Sequence, residues 1–165
     1  MSKSLDDLQS AFAGESQANR RYLAFAEKAD AEGHPQVARL FRAAAQAETV
    51  HAHNHLRAMD GIKSTSENLQ VAIQGENYEH TTMYPAFIKD ADAEGNKRAT
   101  RSFNYAMQVE VEHEGFYRQA LESLGKDKEQ YDYYVCPVCG HTHARFAPDK
   151  CPICGAPKDR FIRVS

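Results

Sequence analysis

The 165-residue sequence lacks the features that mark membrane-spanning, exported or nucleic-acid-binding proteins. No apolar run approaches the roughly 18 residues that a membrane-spanning helix requires. The first residues, MSKSLDDLQSAF, contain no apolar segment resembling the core of a signal peptide. The formal net charge of -3 gives no general attraction to nucleic acid or to anionic membranes. We therefore expect a cytoplasmic protein with neither a nucleic-acid partner nor a membrane partner.

Cysteine is absent from most of the chain, since all four cysteines lie between residues 136 and 154. A disulfide framework suits secreted proteins, and nothing in this sequence suggests export. Clustered cysteines in a cytoplasmic protein more often bind a metal ion. The remaining composition, 42% hydrophobic and 26% charged, is typical of a globular protein, and the length suits one domain with a small appendage.

Apolar residues recur at intervals of three and four from Ser4 to about Leu124, where proline is scarce, and this spacing predicts amphipathic helices. Glycines mark the helix ends, and a capping-box pattern runs from Ser64 to Glu67. Pro85 is expected to kink the third helix or to remove one of its backbone hydrogen bonds. The predicted helices span roughly 5–32, 35–60, 66–94 and 97–124. Short connections favour antiparallel neighbours, so the sequence predicts a mainly α, antiparallel four-helix bundle.

The composition changes after Gly125, where the charged and aromatic stretch KDKEQYDYYV leads into a segment rich in Pro, Gly and Cys. So short a tail cannot build a core unaided and needs a further constraint to hold it together. The sequence therefore predicts a helical domain over 1–125, a linker over 126–133 and a small metal-binding domain over 134–165.

The helical region contains an internal repeat. YLAF at 22–25 matches YPAF at 84–87 at an offset of 62 residues. One step earlier, GE at 14–15 matches GE at 75–76 at an offset of 61 residues. This pattern indicates that two helical hairpins arose by duplication and pack about a pseudo-two-fold axis.

Each half of the repeat contains one Glu-x-x-His motif and one further glutamate in a core-like region. These residues are Glu15, Glu48 and His51 in the first half, and Glu76, Glu110 and His113 in the second. Residues three apart share a helix face, so each motif directs a carboxylate and an imidazole the same way. One Glu from each of two helices, with Glu-x-x-His from the other two, is the ligand set of di-iron and di-manganese bundles. Solvated helix charges are the alternative, but two copies in register favour a di-metal site.

Three neighbouring glutamates stand outside this repeated pattern. Glu112 and Glu114 are expected to face solvent. Glu79 has Ala18 as its counterpart in the first half of the repeat. Spacing alone leaves Glu79 as either a ligand for one redox state or a helix-surface glutamate.

The stretches CPVCG at 136–140 and CPICG at 151–155 form two Cys-x-x-Cys knuckles, which are a strong signal for one tetrahedral metal site. The four ligands would be Cys136, Cys139, Cys151 and Cys154. Zinc would make the tail a structural ribbon, whereas iron would make it a one-electron carrier. A dithiol redox pair is a third interpretation.

Together these motifs resemble those of the rubrerythrins, which have a ferritin-like di-iron bundle followed by a rubredoxin-like domain. The resemblance covers nearly the whole chain and rests on FAGESQANRRY, AETVHAHNH, NLQVAIQGENYEHTTMYP, VEVEHEGFY and the two knuckles. In one departure, His141 follows the first knuckle, where the family commonly has an aromatic residue that packs the iron site.

The resemblance implies seven bundle ligands, which are Glu15, Glu48, His51, Glu76, Glu79, Glu110 and His113. It further implies that Glu48 and Glu110 bridge the metals. One iron would move between His51 when reduced and Glu79 when oxidised.

Other residues near these motifs are interpreted through the same resemblance. Tyr22 and Tyr84 match family tyrosines that hydrogen-bond the carboxylate ligands, although as isolated residues they could equally be core aromatics. His53 and His55 have no matching role and are interpreted as surface histidines.

The implied activity is reduction of hydrogen peroxide to water, which relieves oxidative stress, with electrons relayed through the cysteine-bound iron from an external reductase or rubredoxin. A head-to-tail homodimer is also implied, because that iron usually lies near the di-iron site of a partner subunit. The short link at 61–66 is compatible with exchange of helix pairs between two chains. The alternatives are a ferroxidase or iron-storage protein with zinc in the tail, and a zinc-ribbon interaction protein.

Overall fold

The computed structural model describes residues 2–126 and 129–165, so residues 127 and 128 of the predicted linker lie outside the described residues. The chain forms two compact units, one ending at Lys63 and the other running from Ser64 to Ser165. No helix within the described ranges is both long enough and apolar enough to cross a membrane. The domain bounds that the composition indicates, at 125 and 134, stay predictions.

The first unit is a helical hairpin formed by α1 (Lys3–Ala31) and α2 (Pro35–Ala58). Both helices lie within two residues of their predicted bounds. Gly33 ends the first helix with a φ of 80°, a left-handed conformation that glycine adopts without strain. The interior of the hairpin consists of small side chains, because the buried residues that Phe41 packs against are Ala26, Ala29 and Ala38.

The second unit begins with α3 (Thr65–Tyr78), a π-helical turn (Glu79–Met83) and α4 (Tyr84–Ala93), followed by α5 (Lys97–Ser123). The capping box is confirmed. The Ser64 hydroxyl accepts the Glu67 N–H, and the Ser64 N–H donates to the Glu67 carboxylate at 3.2 Å. Because the π-helical turn separates α3 from α4, the single third helix predicted over 66–94 is interrupted.

The interruption is a π-helical turn, in which the Tyr84 N–H donates to the carbonyl of Glu79, five residues earlier. Such a turn holds one residue more than an α-helical path of the same length. The extra residue accounts for the change in repeat offset from 61 at Glu76 to 62 at Tyr84. Pro85 lies in the first turn of α4, directly after the π turn. The kink or lost hydrogen bond predicted at Pro85 therefore corresponds to this π turn.

The tail contains three short strands, β1 (Tyr133–Val135), β2 (Thr142–Ala144) and β3 (Ile162–Val164). They form an antiparallel sheet in the order β2-β1-β3, and Val135 pairs with Thr142. The sheet holds the segment after the first knuckle in a fixed position.

Each unit contains the same aromatic cluster, which supports the inferred duplication. The clusters are Tyr22, Phe25 and Phe41 in the first unit, and Tyr84, Phe87 and Phe103 in the second. The ring centroids of the two phenylalanines lie 5.5 Å apart in the first cluster and 5.6 Å apart in the second. The predicted tyrosines thus occupy equivalent positions, each packed against its own phenylalanine pair.

Candidate metal centres

Three groups of side chains in the described chain bring potential metal ligands together, with ligand atoms in each group within 4.8 Å of one another. The groups are Glu15, Glu48 and His51; Glu76, Glu110 and His113; and Cys136, Cys139, Cys151 and Cys154. They contain every predicted ligand except Glu79. The Glu-x-x-His motifs therefore bring their side chains together as the repeat predicts, one group in each unit.

In the first unit, α1 supplies Glu15 and α2 supplies Glu48 and His51. Nδ1 of His51 lies 2.9 Å from the Glu48 carboxylate. The two glutamates are half-buried, whereas the His51 side chain is 53% exposed. The imidazole of this group is therefore the ligand with the greatest freedom to move.

In the second unit, α3 supplies Glu76 and α5 supplies Glu110 and His113. Nδ1 of His113 lies 2.8 Å from the Glu110 carboxylate and 3.9 Å from that of Glu76. Both imidazoles thus direct Nδ1 toward carboxylates, as the duplication requires. The His113 side chain is 29% exposed, so this group is more enclosed than its counterpart.

The charges of the second group lie too close together for an ordinary set of ionised side chains. Burial, followed by the nearby charge of Glu110, raises the pKa of Glu76 to about 7. A hydrogen bond to Glu110 raises the pKa of His113. Carboxylates that repel one another keep a proton because it reduces their negative charge. A divalent cation bound between them would neutralise the same charge. The residues present therefore fit a metal ion.

Glu79 and two tyrosines lie in the same electrostatic environment. Burial and the charge of Glu110 raise the pKa of Glu79, which places Glu79 beside the second group. Burial, followed by the charge of Glu79, raises the pKa of Tyr84. Burial also raises the pKa of Tyr117, with further contributions from Glu76 and Glu110. These hydroxyls therefore keep their protons near the carboxylates.

Tyr117 is a residue that the sequence interpretation missed. It lies four residues after His113 and seven after Glu110, so helical periodicity places it on the same face of α5. The equivalent position in the first unit is His55, which is half-buried rather than at the surface as predicted. His53 is exposed, as predicted.

The four cysteines surround a space suited to a single ion. Sγ of Cys136 lies 3.5 Å from Sγ of Cys154, and Sγ of Cys139 lies 3.4 Å from Sγ of Cys151. These separations are far longer than a disulfide bond. They approach the ~3.8 Å between sulfurs at the corners of a tetrahedron whose metal–sulfur bonds are ~2.3 Å. The cysteines therefore fit a tetrahedral metal and do not form a disulfide in this structure.

Metal uptake at the second group is expected to depend steeply on pH. The Glu76 carboxyl, with its pKa of about 7, must lose its proton before it binds a cation. Below pH 7 this single proton lowers the apparent affinity by about tenfold per pH unit, and above pH 7 its effect disappears. Titration of the metal-free protein with Co²⁺ at several pH values, together with proton release in weak buffer, measures the dependence. An affinity that stays constant from pH 6 to pH 8 would contradict it.

Two predictions about neighbouring glutamates are wrong. Glu114 is buried, and its carboxylate accepts hydrogen bonds from His80, Arg118 and Asn77. The hydrogen bond from His80, followed by that from Arg118, lowers the pKa of Glu114 to about 2. Glu112 is half-buried and hydrogen-bonds Nδ1 of His141 at 2.7 Å. Sequence spacing shows that Glu112 and Glu114 lie outside the metal-binding pattern. It does not show that other segments of the chain cover these two side chains.

The rubredoxin-like tail contacts α5 through three consecutive residues, Gly140, His141 and Thr142. His141 hydrogen-bonds Glu112 and Thr142 hydrogen-bonds His113, and a methyl group on Gly140 would lie 3.8 Å from Val109. Val109, Glu112 and His113 share one helix face. This contact explains why apolar Val109 lies among so many charges, because it is buried against the knuckle. His113 belongs to this face and to the metal-binding face at once.

His141 directly follows the first knuckle. It is 4% exposed and lies edge-to-face with Phe161, with ring centroids 6.2 Å apart. The imidazole therefore covers the knuckle as an aromatic ring would, and Glu112 binds its polar edge. His141 therefore packs on Phe161 within the tail and links the tail to α5 by a hydrogen bond.

Comparison with known proteins shows the same architecture. The rubrerythrin family model matches residues 6–121, and the model for the rubredoxin-like domain of rubrerythrin matches residues 134–162. Rubrerythrin-2 of Clostridium acetobutylicum is 37% identical over 94% of each chain. Nigerythrin of Nitratidesulfovibrio vulgaris is 35% identical, with 95% of this chain and 84% of nigerythrin covered.

Solved structures of nigerythrin, in a mixed-valent state and in a fully reduced, all-ferrous state, give a TM-score of 0.59 at 35% identity. The alignments cover 99% of this chain and 88% of nigerythrin. These similarities confirm the predicted fold class, which combines a ferritin-like helical domain with a small rubredoxin-like domain. The family consists generally of oxidoreductases. The chain belongs to the rubrerythrin family and is a di-iron protein with an additional four-cysteine, rubredoxin-like site.

Proposed function

We propose that the chain is a peroxide reductase in which the two Glu-x-x-His motifs, with Glu15, Glu76 and Glu79, bind two irons and the four cysteines bind a third. The observation that carries this proposal is a contact between the two kinds of site. Thr142, three residues after Cys139, lies 3.0 Å from Nε2 of His113. A one-electron carrier must lie close to the site that it serves, whereas an iron-storage protein has no use for such a contact.

The reaction consumes hydrogen peroxide, two electrons and two protons and yields two water molecules. The carboxylates and imidazoles would hold two irons, and this metal pair would supply both electrons. Tyr84 holds its proton on Oη, because burial and the charge of Glu79 raise its pKa. Its hydroxyl therefore serves as a hydrogen-bond donor beside the carboxylates, and Tyr22 occupies the equivalent position in the other half of the repeat.

Glu79 gives the second half of the repeat a carboxylate that the first half lacks. We propose that Glu79 would be an iron ligand in the oxidised state and His51 an iron ligand in the reduced state. The His51 side chain is exposed, and the pKa of Glu79 is raised. Both properties suit ligands that can leave a metal ion and bind it again. Glu48 and Glu110 would serve as ligands in both redox states.

The four cysteines would hold an iron that supplies one-electron transfer from an external reductase or rubredoxin. We place the protein in the cytoplasm and expect it to act as a homodimer. The tail contacts His113 on α5 of its own chain. The cysteine site would therefore pass electrons to a bundle site that includes a ligand from the same subunit.

The Cys139→Ser variant tests electron transfer through the cysteine site separately from peroxide reduction at the bundle site. In the full chain, this variant is expected to lose steady-state peroxide reduction with an enzymatic electron donor by about 100-fold or more, because it lacks a complete four-thiolate site. Once reduced chemically, it is expected to consume peroxide in a single turnover as the wild type does. Peroxide consumption under anaerobic conditions measures both rates.

The matched control is Val138→Ala, which alters an exposed knuckle residue that binds no metal. Metal analysis of the wild type is expected to give about three irons per chain. Unchanged steady-state turnover in Cys139→Ser would remove the relay from the proposal. Two irons with one zinc, together with oxidation of ferrous iron by oxygen in the absence of peroxide, would favour the ferroxidase alternative.

A further inference from the structure

Thr142 lies at the junction between the rubredoxin-like tail and the ligand-bearing face of α5. It is the first residue of β2, where the sheet pairs it with Val135. Next to it, His141 is bound by Glu112, and Gly140 lies against Val109. The position of the Thr142 hydroxyl is therefore fixed on both sides, by the sheet and by the contact with α5.

The hydrogen bonds of this hydroxyl have a defined direction. The Thr142 hydroxyl donates its one proton to the carbonyl oxygen of Gly140 at 3.1 Å. A carbonyl only accepts, so the hydroxyl presents a lone pair to Nε2 of His113, 3.0 Å away. With its proton on Nε2, the His113 ring donates to this lone pair. The nitrogen that remains for a metal is Nδ1, which faces the carboxylates of Glu110 and Glu76.

A histidine that binds a metal through one nitrogen has a proton on the other, and that proton needs an acceptor. In the second unit the acceptor comes from the tail, not from the bundle. The first unit's His51 is 53% exposed, so water is available to its ring. The two imidazoles of the repeat therefore differ in what holds them, although their metal-binding motifs are the same.

We propose that Thr142 is a positioning residue of the bundle metal site, which holds His113 by accepting its Nε2–H and so aims Nδ1 at the metal. The inference rests on the proposed role of His113 as a ligand. It adds that a hydroxyl of the rubredoxin-like tail determines part of the metal affinity of the helical domain. Docking of the tail on α5 therefore assembles the bundle site as well as bringing the electron carrier near it.

The test compares full-length wild type with Thr142→Val, which removes the hydroxyl at nearly constant volume, and Thr142→Ser, which retains it. Co²⁺ competition titrations measure affinity at the bundle site, and cobalt–thiolate absorption shows independently that the tail is folded and loaded. Thr142→Val is expected to weaken the bundle site by about 10- to 100-fold, the usual cost of losing such a partner. Thr142→Ser is expected to restore the wild-type affinity, and the cysteine site is expected to stay unchanged in both.

A second readout requires no activity. In zinc-loaded protein with ¹⁵N-labelled histidine, the Nε2–H resonance of His113 is assigned by its loss in His113→Gln. We expect slow solvent exchange of this proton in the wild type and in Thr142→Ser, and fast exchange in Thr142→Val. Fast exchange in the wild type itself would overturn the inference, whether or not the valine variant folds.

The outcomes distinguish this inference from the function on which it rests. If His113→Gln binds cobalt in the bundle as tightly as the wild type does, the ligand role fails and the inference fails with it. If His113→Gln loses affinity while Thr142→Val keeps both the wild-type affinity and slow exchange, the ligand role stands and only the role of Thr142 is refuted.

Discussion

Replacing Glu110 with glutamine is expected to weaken iron binding at the bundle site by more than about 100-fold, since losing an outer hydrogen-bond partner alone costs roughly 10- to 100-fold. The Glu110 carboxylate lies 2.8 Å from Nδ1 of His113. Its charge contributes to raising the pKa values of both Glu76 and Glu79. Glutamine preserves the shape of the side chain but supplies neither a negative charge nor a second carboxylate oxygen. Metal analysis after anaerobic reconstitution, with peroxide consumption, measures the loss.

The control for this variant is Glu122→Gln, which removes an exposed carboxylate three turns further along the same helix. It is expected to retain full iron loading, and both variants are expected to keep the cysteine site. Glu110→Gln should also lower the pKa of Glu76 in the metal-free protein, because it removes a neighbouring charge. Carboxyl titration by NMR checks that shift. Two bundle irons per chain in Glu110→Gln would refute the bridging role.

The ligand groups were predictable because the repeat supplies information that a single motif does not. Glu-x-x-His alone is common on exposed helices. Its recurrence at Glu48 and Glu110, at a constant offset of 62 residues, indicates that both copies serve one structural role. The cysteine knuckles were predictable for a different reason, since thiolate spacing within a chain of fixed geometry leaves few arrangements around one ion.

The π turn was not predicted, although the sequence contains its signal. The offset grows from 61 at Glu76 to 62 at Tyr84, so one residue is inserted between them. Hydrophobic periodicity over 66–94 does not register a single extra residue, because apolar residues in a helix recur at intervals of both three and four. Counting the repeat, not the periodicity, locates the turn that carries Glu79.

The roles of Glu112 and Glu114 could not be read from helix position alone. Glu112 binds His141, which lies 29 residues away, and Glu114 binds His80, which lies 34 residues away. Which charged residues on a helix become covered depends on how distant segments fold back onto it. The same limit applies to Thr142, which is an ordinary strand residue until its contact with His113 is seen.

The largest effect on stability is expected from Glu114→Gln. The Glu114 carboxylate is buried and receives hydrogen bonds from the side chains of His80, Arg118 and Asn77. Replacing it leaves the half-buried His80 without its charged acceptor, whereas the half-exposed Arg118 can turn to water. We therefore expect the free energy of unfolding of the metal-free protein to fall by about 1–3 kcal/mol at pH 7, below the full cost of breaking a buried pair. Urea denaturation measures the change.

The pH dependence of this variant identifies the cause. Because folding lowers the pKa of Glu114 from 4.5 to about 2, its stabilising effect is complete above pH 4.5 and is lost as the pH falls toward 2. The difference in unfolding free energy between the wild type and Glu114→Gln should therefore be large at pH 7 and shrink toward pH 2. Glu122→Gln should show no such difference at either pH. A difference for Glu114→Gln that stays constant down to pH 2 would mean that shape, not charge, makes Glu114 necessary. His80 follows Glu79 in the π turn. A difference that shrinks toward pH 2 would therefore show that the contact between His80 and Glu114 holds the π turn against α5.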